Sequence, residues 1–322
     1  MTAIAPDPLR ADARGVRTLA FKAMATDCVV RFRLVDDAAA RKFALEALDW
    51  VQRFESRYSR FREDSIVSRI NRSAGAGWVE VDEETDRLLD LAADAHRRSE
   101  GIVDASMLPL LKVWNWKEAH RSLPDRKIVS DALSLCGWDK VERRPGAIRL
   151  PVAGMGLDFG GFGKEHAVDV VSAMAARHGI RDALVDFGRD IFAMGGNGDH
   201  PFWHVGVEDG LNPGNCWGGL AVSGRAVCSS GDVHRHFTHR GVRYGHILDP
   251  RTGWPVTSGM RAVTVVAPTC FEAGIYSTTV FVLGAREGIQ LSSCARDVEV
   301  CAQSTHGIEG SRGFGRWLVQ PA

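Results

Sequence analysis

The stretch GHILDPRTGWP, at residues 245–255, sets ionisable side chains beside a turn that proline stiffens. Histidine is the side chain used most often as a general base, because its neutral ring can accept a proton near pH 7. His246 is next to the Asp249-Pro250 turn, where a base could be held at a fixed distance from a substrate. The alternative is an ordinary surface turn, so the sequence makes His246 a candidate base and no more.

Three further histidines, His234, His236 and His239, precede this turn. A zinc site needs ligands that converge at defined spacing, and no HxxxH pair on a helix is present here. We therefore interpret these three as solvated strand or turn residues. HRGVRYG, at residues 239–245, looks like the tip of a hairpin.

A glycine-rich turn runs directly into a helix at DFGGFGKEHA, residues 158–167. The backbone N–H groups of such a turn can form an anion site that the helix dipole strengthens, and Lys164 adds a full charge. The pattern matches neither GxGxxG nor GxxxxGK[ST], so phosphate binding and a purely structural turn both stay open.

Hydroxyl side chains cluster in a helix predicted at residues 270–282, at Ser277, Thr278 and Thr279. These residue types are poor interior helix formers. They indicate either hydrogen bonds back to helix carbonyls or ligands aimed at a polar group. From the residues alone, we favour the hydrogen bonds back to the helix.

Hydrophobic periodicity predicts an α+β fold, because strands occur in runs rather than in strict βαβ alternation. We expect helices over residues 38–57, from Asp82 to before Gly101, and at 125–136, with short strands through the second half. Residues 1–20, rich in Pro, Ala and Arg, predict a flexible N-terminal arm. The remainder, 21–322, is expected to form one mixed domain.

The composition excludes several classes of protein. Forty basic residues balance forty acidic ones among 322, so no overall field favours nucleic acid or an anionic membrane. Seven scattered cysteines contain no CxxC pair, which argues against a disulfide framework or zinc knuckle. No segment has the length of a secretory signal core or a membrane span, so we expect a cytoplasmic protein.

Ordered blocks along the chain resemble the ApbE-like FAD:protein FMN transferases, formerly described as thiamine-biosynthesis lipoproteins. The likeness runs from about residue 24 to residue 316, and its blocks keep their internal spacing. They are MAT (24–26), YSRFREDSIVSRIN (58–71), GIVDASMLPLLKVW (101–114), DFGGFGKEHAVD (158–169), SSGDV…HILDPRTGWP (229–255) and AGIYSTTVFVLG (273–284).

The resemblance implies an α+β fold with FAD in a cleft between two parts. The implied reaction moves the FMN half of FAD onto a Thr or Ser hydroxyl of a partner flavoprotein and releases AMP. Such an attack on a pyrophosphate phosphorus is assisted by a divalent cation, here Mg²⁺, and by a base. The expected partners are therefore FAD and an acceptor flavoprotein, without nucleic acid and without a membrane span.

Site residues follow from the resemblance by position. His246 is expected to be the base, with Asp249 and Arg251 fixing its turn, and Lys164 is expected to pair with phosphate. Phe61 stands where the family usually has Tyr or Trp, so stacking is kept and a hydroxyl is lost. The expected FAD contacts are Met24, Phe61, Ile102, Val103, Asp104, Asp158, Lys164 and Ile247, and the expected metal ligands are Gly161, Ser277 and Thr278.

Two further segments depart from the family pattern. Gly274 replaces the aspartate expected to bind Mg²⁺, and GKEHA replaces GKGYA at residues 163–167. Because hard cations prefer charged oxygens, the loss should weaken Mg²⁺ binding. Glu272 points about 200° around the helix from Gly274. Two alternatives to the transferase follow: a non-catalytic FAD-binding protein that has lost the metal, and an FAD pyrophosphatase that uses water as acceptor.

Overall fold

The computed structural model describes residue 9 and residues 11–114 and 123–319, which combine helices with antiparallel sheets. Within these residues the α-helices are α1 (Asp37–Tyr58), α2 (Ile66–Arg72), α3 (Glu83–Arg98), α4 (Leu108–Val113), α5 (Arg126–Ser134), α6 (Gly163–Arg177), α7 (Cys270–Leu283) and α8 (Ala285–Ser292). The helices predicted at 38–57, after Asp82, at 125–136 and at 270–282 are thereby confirmed to within a few residues.

The strands follow the same chain order. The first nine are β1 (Val16–Ala23), β2 (Thr26–Arg33), β3 (Val79–Glu80), β4 (Glu142–Arg144), β5 (Ala147–Arg149), β6 (Ala183–Phe187), β7 (Asp190–Met194), β8 (Trp203–Glu208) and β9 (Cys216–Val222). The others are β10 (Arg225–Gly231), β11 (His236–His239), β12 (Val242–Gly245), β13 (Leu248–Asp249), β14 (Trp254–Pro255), β15 (Met260–Ala267), β16 (Glu299–Ser304), β17 (Gly307–Gly310) and β18 (Leu318–Val319). The α+β expectation is correct.

An eight-stranded sheet forms the centre, in the order β1-β2-β6-β7-β10-β15-β16-β17, and its neighbouring strands are antiparallel. One face packs against α1, α6 and α7 in the largest hydrophobic core. The three-stranded sheet β18-β9-β8 contributes to a separate core together with residues from the central sheet. A sheet buried on both faces explains why β15 is apolar along almost its entire length.

Helix α1 links two cores. Asp36 caps its first turn by accepting a hydrogen bond from the Ala39 N–H at 2.6 Å. Buried residues then recur every three or four positions, which is the spacing of one helix face. Phe43 lies in the core beneath the central sheet, whereas Phe54 and Tyr58 lie in a second core with α3 and the three-stranded sheet β3-β5-β4.

A smaller hydrophobic cluster carries the C-terminal motif. Leu110 and Trp114 at α4, and Val129 on α5, pack with Phe237 and Leu248. The hairpin β11-β12 and the short pair β13-β14 are therefore fixed to helices far away in the sequence. This cluster sets the position of the turn that contains His246.

The N-terminal boundary differs from the sequence prediction. Residues 16–20, predicted to belong to a flexible arm, form most of β1, and each residue of β1 pairs with β2. The physical reason is burial: Val16 and Leu19 pack into hydrophobic cores, and Arg17 donates to the carbonyl of Leu34 at 2.8 Å. Residues 1–8 and 10 of the predicted arm, and residues 115–117 of the tryptophan-rich segment, lie outside the described residues.

None of the helices in the described parts of the chain has both the length and the apolar character needed to cross a bilayer.

Candidate active site

The His246 turn is held by its own backbone and by one aspartate. The His246 N–H donates to the Arg235 carbonyl at 3.0 Å, which ties the turn to the start of the hairpin β11-β12. The Asp249 carboxylate accepts from the Arg251 backbone N–H at 2.9 Å and from its guanidinium at 2.8 Å. Asp249 and Arg251 thus hold each other across the turn, in the arrangement expected for residues that fix it.

The turn also packs tightly against the α4–α5 helices. The Trp114 indole N–H donates to the Gly253 carbonyl at 2.8 Å, and this contact is buried. Gly253 has φ +75°, and a Cβ at this position would lie 2.9 Å from Val129 Cγ1. Glycine is therefore required by backbone conformation and by space together. The opening motif is a packed element and not a loose surface turn.

His246 is neutral at physiological pH. Burial, reinforced by the nearby Arg235 charge, lowers the pKa of its imidazole to about 4. Its Nδ1 is buried and has no hydrogen-bond partner within the described residues. The neutral ring is the form that can accept a proton, while the lowered pKa makes it a weaker base than an exposed histidine.

A cavity of about 240 Å³ lies between this turn and the 101–104 segment, although the two are about 150 residues apart. Gly101, Asp104, Pro250 and Arg251 contribute to its wall, and His246 does not line it. The Asp104 carboxylate is already bonded to the backbone N–H groups of Ser106 at 2.6 Å and Trp138 at 2.9 Å. These hydrogen bonds to the Asp104 carboxylate fix the backbone that forms this part of the cavity wall.

The glycine-rich turn contacts the same 101–105 segment. The Asp158 N–H donates to the Ala105 carbonyl at 2.8 Å, and a Cβ at Gly161 would lie 3.8 Å from Val103 Cγ1. Ile102 and Val103 are themselves buried. The segment 101–105 is therefore the shared wall between the glycine-rich turn and the cavity.

Arg60 joins the aromatic position to the same turn. Its Nε lies 2.6 Å from Asp158 Oδ2, and its guanidinium carbon lies 4.3 Å from the centre of the Phe61 ring. Phe61 is 81% exposed, which leaves the ring free for a flat ligand. Asp158 Oδ1 accepts from the Gly160 N–H at 2.7 Å, so the carboxylate also shapes the turn.

Lys164 stands at the first turn of α6 between two acids. Its Nζ forms an ion pair with the buried Asp190 on β7, and it lies 3.8 Å from Glu165 Oε1. Lys164 remains partly exposed, with 26% of its side chain accessible. The predicted phosphate ligand is thus anchored by carboxylates and can still be reached from solvent.

The hydroxyl residues of α7 face β10. Ser277 Oγ donates back to the Gly274 carbonyl at 3.0 Å and Thr279 Oγ1 to the Ile275 carbonyl at 2.7 Å, so the favoured expectation holds for these two. Thr278 differs, because its Oγ1 lies 3.0 Å from Ser230 Oγ. The described residues contain no group of three or more His, Cys, Asp or Glu that could hold a metal ion. A cation site here would combine few charged ligands with hydroxyl and carbonyl oxygens.

Met24 and Ile247, the other predicted FAD contacts, are each held by a backbone hydrogen bond. Met24 has a left-handed backbone, φ +51°, and its N–H donates to Glu55 Oε1 at 2.9 Å. The Ile247 carbonyl accepts from the Val256 N–H at 3.1 Å, and its side chain packs on the main core. Of the other histidines, His234 is exposed and hydrogen-bonds to Glu208 at 2.8 Å.

Sequence reasoning missed four side chains that organise the site: Arg60, Glu165, Asp190 and Ser230. Arg60, Glu165 and Ser230 lie within the motif blocks, yet none has a spacing that marks a role. Asp190 lies at the start of a strand without any motif. Each acts through a partner distant in sequence, such as Asp158 for Arg60 and Thr278 for Ser230.

Comparisons with known proteins identify the family of the chain. The model of the ApbE family matches residues 24–302. A FAD:protein FMN transferase of Treponema pallidum is 32% identical over 277 residues, which cover 80% of this chain and 76% of that protein. One from Klebsiella pneumoniae is 27% identical over 264 residues, covering 81% of this chain and 80% of the relative.

Solved structures show the same fold. The crystal structure of the ApbE protein of Thermotoga maritima superimposes with a TM-score of 0.85 at 27% identity, covering 95% of this chain and all of that one. The flavin transferase ApbE of Vibrio cholerae gives a TM-score of 0.84 at 22% identity, covering 94% and 99%. With the family match spanning most of the chain and the fold shared along its length, this protein belongs to the ApbE family.

Proposed function

We propose that this protein is an FAD:protein FMN transferase, which moves FMN from FAD to a Thr or Ser hydroxyl of an acceptor flavoprotein. The observation that carries the proposal is the cavity between the 101–104 segment and the Pro250–Arg251 turn, with neutral His246 just before the strand β13 that leads into that turn. The relatives that bear this activity by name support it.

The reaction exchanges one phosphorus–oxygen bond for another. The acceptor hydroxyl oxygen attacks the phosphorus on the FMN side of the FAD pyrophosphate, and the bond from that phosphorus to the bridging oxygen breaks. AMP leaves with the bridging oxygen. His246, neutral because its pKa is lowered to about 4, takes the proton that the hydroxyl loses.

FAD would lie across the residues that the resemblance assigns. The exposed Phe61 ring, oriented by Arg60, is suited to stack on a flat ring of the cofactor. Lys164 would bind phosphate, sharing its charge with Asp190. Met24, Ile102, Val103, Asp104, Asp158 and Ile247 would complete the wall of the FAD site.

Mg²⁺ belongs to the proposal as well, and the chain offers oxygen ligands that fit it. Hard cations prefer oxygen ligands of the kinds found here. They are the hydroxyls of Ser277 and Thr278, the Gly161 carbonyl, and a buried carboxylate oxygen of Glu165 that has no hydrogen-bond partner among the described residues. When bound, the cation would neutralise charge on the phosphate oxygens.

The experiment that tests this function follows covalent flavin on an acceptor. The full chain is incubated with FAD, Mg²⁺ and a Thr-containing acceptor domain, and flavin fluorescence of the denatured acceptor is measured. We expect a fluorescent acceptor and equimolar AMP. His246→Gln should lower the rate by roughly 10²–10⁴-fold, the range typical for loss of a general base.

Two other outcomes would contradict the transferase. FMN and AMP formed without acceptor, together with an unlabelled acceptor, would identify an FAD pyrophosphatase. Bound but unchanged FAD would identify a non-catalytic FAD-binding protein. A family member of known activity, assayed beside it with the same acceptor, controls for the choice of acceptor.

A further inference from the structure

Two of the departures from the family pattern, Gly274 and Glu165, are in contact in the structure. A Cβ built on Gly274 would lie 2.6 Å from Glu165 Cγ, 3.0 Å from its Oε1 and 3.1 Å from its Cδ. The Glu165 side chain, which comes from α6, therefore occupies the volume that a side chain at position 274 of α7 would fill. A carboxylate has been lost from one helix and supplied by its neighbour.

Glu165 is a buried carboxylate. The residue is 8% exposed, and its Oε2 is buried with no hydrogen-bond partner within the described residues. Its Oε1 lies 3.8 Å from Lys164 Nζ, beyond hydrogen-bonding distance. Burying a carboxylate with an unused oxygen is costly unless a positive charge compensates it. The geometry leaves an oxygen ready for a cation.

Among the described residues, Lys164 is the positive charge that lies beside Glu165, and that charge is already shared. Lys164 already forms an ion pair with Asp190. Asp169, one helical turn further along α6, accepts from the Cys270 and Phe271 N–H groups at 2.7 and 2.9 Å. Burial, together with the charge of Glu165, raises the pKa of the Asp169 carboxyl to about 6. Lys164 thus lies beside two buried acids, Glu165 and Asp190, and a divalent cation would supply the further positive charge.

Neutral hydroxyl oxygens lie on the same face of α7 as Gly274. Thr278 is four residues after Gly274, so both positions share one face of the helix, one turn apart. The Thr278 hydroxyl meets Ser230 Oγ, which also contacts Ser277 Oγ at 2.8 Å. The carboxylate of Glu165 therefore enters beside a group of hydroxyls.

We propose that Glu165 is the carboxylate ligand of a divalent-cation site, delivered from α6 into the space that Gly274 leaves on α7. The proposal deepens the transferase function above and rests on it for the role of the metal. Hydroxyl and carbonyl oxygens of Thr278 and Gly161 are the neutral ligands. Since Glu165 fills the volume at Gly274, a carboxylate can come from either position, but not from both without displacement.

The test measures metal binding directly, so that it does not depend on transferase activity. Mn²⁺ is titrated into the full chain in metal-free buffer, and free Mn²⁺ is followed by electron paramagnetic resonance; Mg²⁺ then competes. We expect Glu165→Gln to weaken Mn²⁺ binding by roughly tenfold or more, because the only anionic ligand is lost. Glu272→Gln is the matched control, since Glu272 lies near Gly274 in sequence but pairs with Arg98 at 3.0 Å; it should keep the parent affinity.

The reciprocal exchange gives a second, independent result. Glu165→Gly alone should lose Mn²⁺ binding, and adding Gly274→Asp to it should restore binding to within a few-fold of the parent. In thermal melts, Mn²⁺ should raise the Tm of the parent and of the double variant but not that of Glu165→Gln. The melts also show that each variant folds; if Glu165→Gln does not fold, the double variant decides.

Several results would overturn the proposal. If Glu165 acts only as counter-charge to Lys164, Glu165→Gln will bind Mn²⁺ as tightly as the parent. A folded double variant that still fails to bind would also refute it, as would a parent that binds no Mn²⁺. Metal binding that depends on Glu165, without any flavin transfer, would support the proposed metal site and contradict the transferase function.

Discussion

The Arg60 guanidinium lies 2.6 Å from the Asp158 carboxylate and joins two segments that are about 100 residues apart. Both side chains are mostly buried, with 24% and 16% accessible. The same guanidinium lies over the exposed Phe61 ring. One ion pair therefore fixes both the glycine-rich turn and the aromatic surface proposed to receive FAD.

Removing Arg60 should weaken FAD binding and lower stability. Arg60→Ala leaves the partly buried Asp158 without its ion partner, so we expect a loss of about 1–3 kcal/mol in the free energy of unfolding. The FAD dissociation constant, measured by flavin fluorescence, should rise several-fold. Arg62→Ala is the control, because its pair with Asp64 is exposed, so solvent screens it and its loss should change stability little. Equal effects of the two substitutions would contradict the role of Arg60.

Gly253 should tolerate no side chain. Gly253→Ala would force a left-handed backbone on alanine, costing about 1–2 kcal/mol, and would press Cβ against Val129, costing roughly 1–3 kcal/mol more. Urea unfolding measures the sum. Gly224→Ala is the matched control: its φ is +66° and nothing lies within 4 Å of its Cβ, so only the backbone cost remains. If both variants lose the same stability, the turn is not packed on α5 as described.

His246 should make stability depend on pH in the acid range. Its pKa is lowered from 6.5 to about 4, so the unfolded chain binds more protons between these values. Its contribution, up to about 3 kcal/mol, is therefore complete above pH 6.5 and is lost as the pH falls towards 4. Urea unfolding at pH 4.5, 5.5, 6.5 and 7.5 should show a steeper acid loss for the parent than for His246→Gln.

Comparing the parent with His246→Gln cancels the pH-dependent contributions that other titratable groups make to stability. Asp169, whose pKa is raised to about 6, stabilises the fold at low pH and loses that contribution as the pH rises, in the parent and in the variant alike. His234→Gln, which removes an exposed histidine, is the control and should keep the parent slope. An unchanged slope in His246→Gln would show that the imidazole is not held neutral by burial.

Local sequence patterns predicted the elements that bury one face. Phe43, Ala47, Val51 and Phe54 on α1 recur at helical spacing, and Asp82 accepts from the Thr85 N–H at 3.1 Å as a helix cap should. Such signals depend on residues a few positions apart. Strand β1 escaped prediction because the Pro-, Ala- and Arg-rich residues before it dominate the composition of residues 1–20, whereas pairing with β2 and burial decide the state of residues 16–20.

The resemblance could assign candidate site residues by position, but it could not show which of them are in contact. The resemblance assigned Lys164, Asp158 and the His246 turn by position, and it exposed Gly274 as a departure. It could not relate Gly274 to Glu165, because they lie on different helices and about 110 residues apart. Nor could it reveal that Trp114 holds Gly253, since that bond exists only once the C-terminal turn has packed on α4.

The uninterrupted helix α1 has a consequence for how the protein can move. Its first half is embedded beneath the central sheet and its last turns belong to the core formed with α3. Because one continuous helix packs into both cores, rotating one core against the other would require α1 to bend or to lose its contacts with one of them. Cutting the chain within α1 would therefore divide between two fragments the residues that this helix contributes to the two cores.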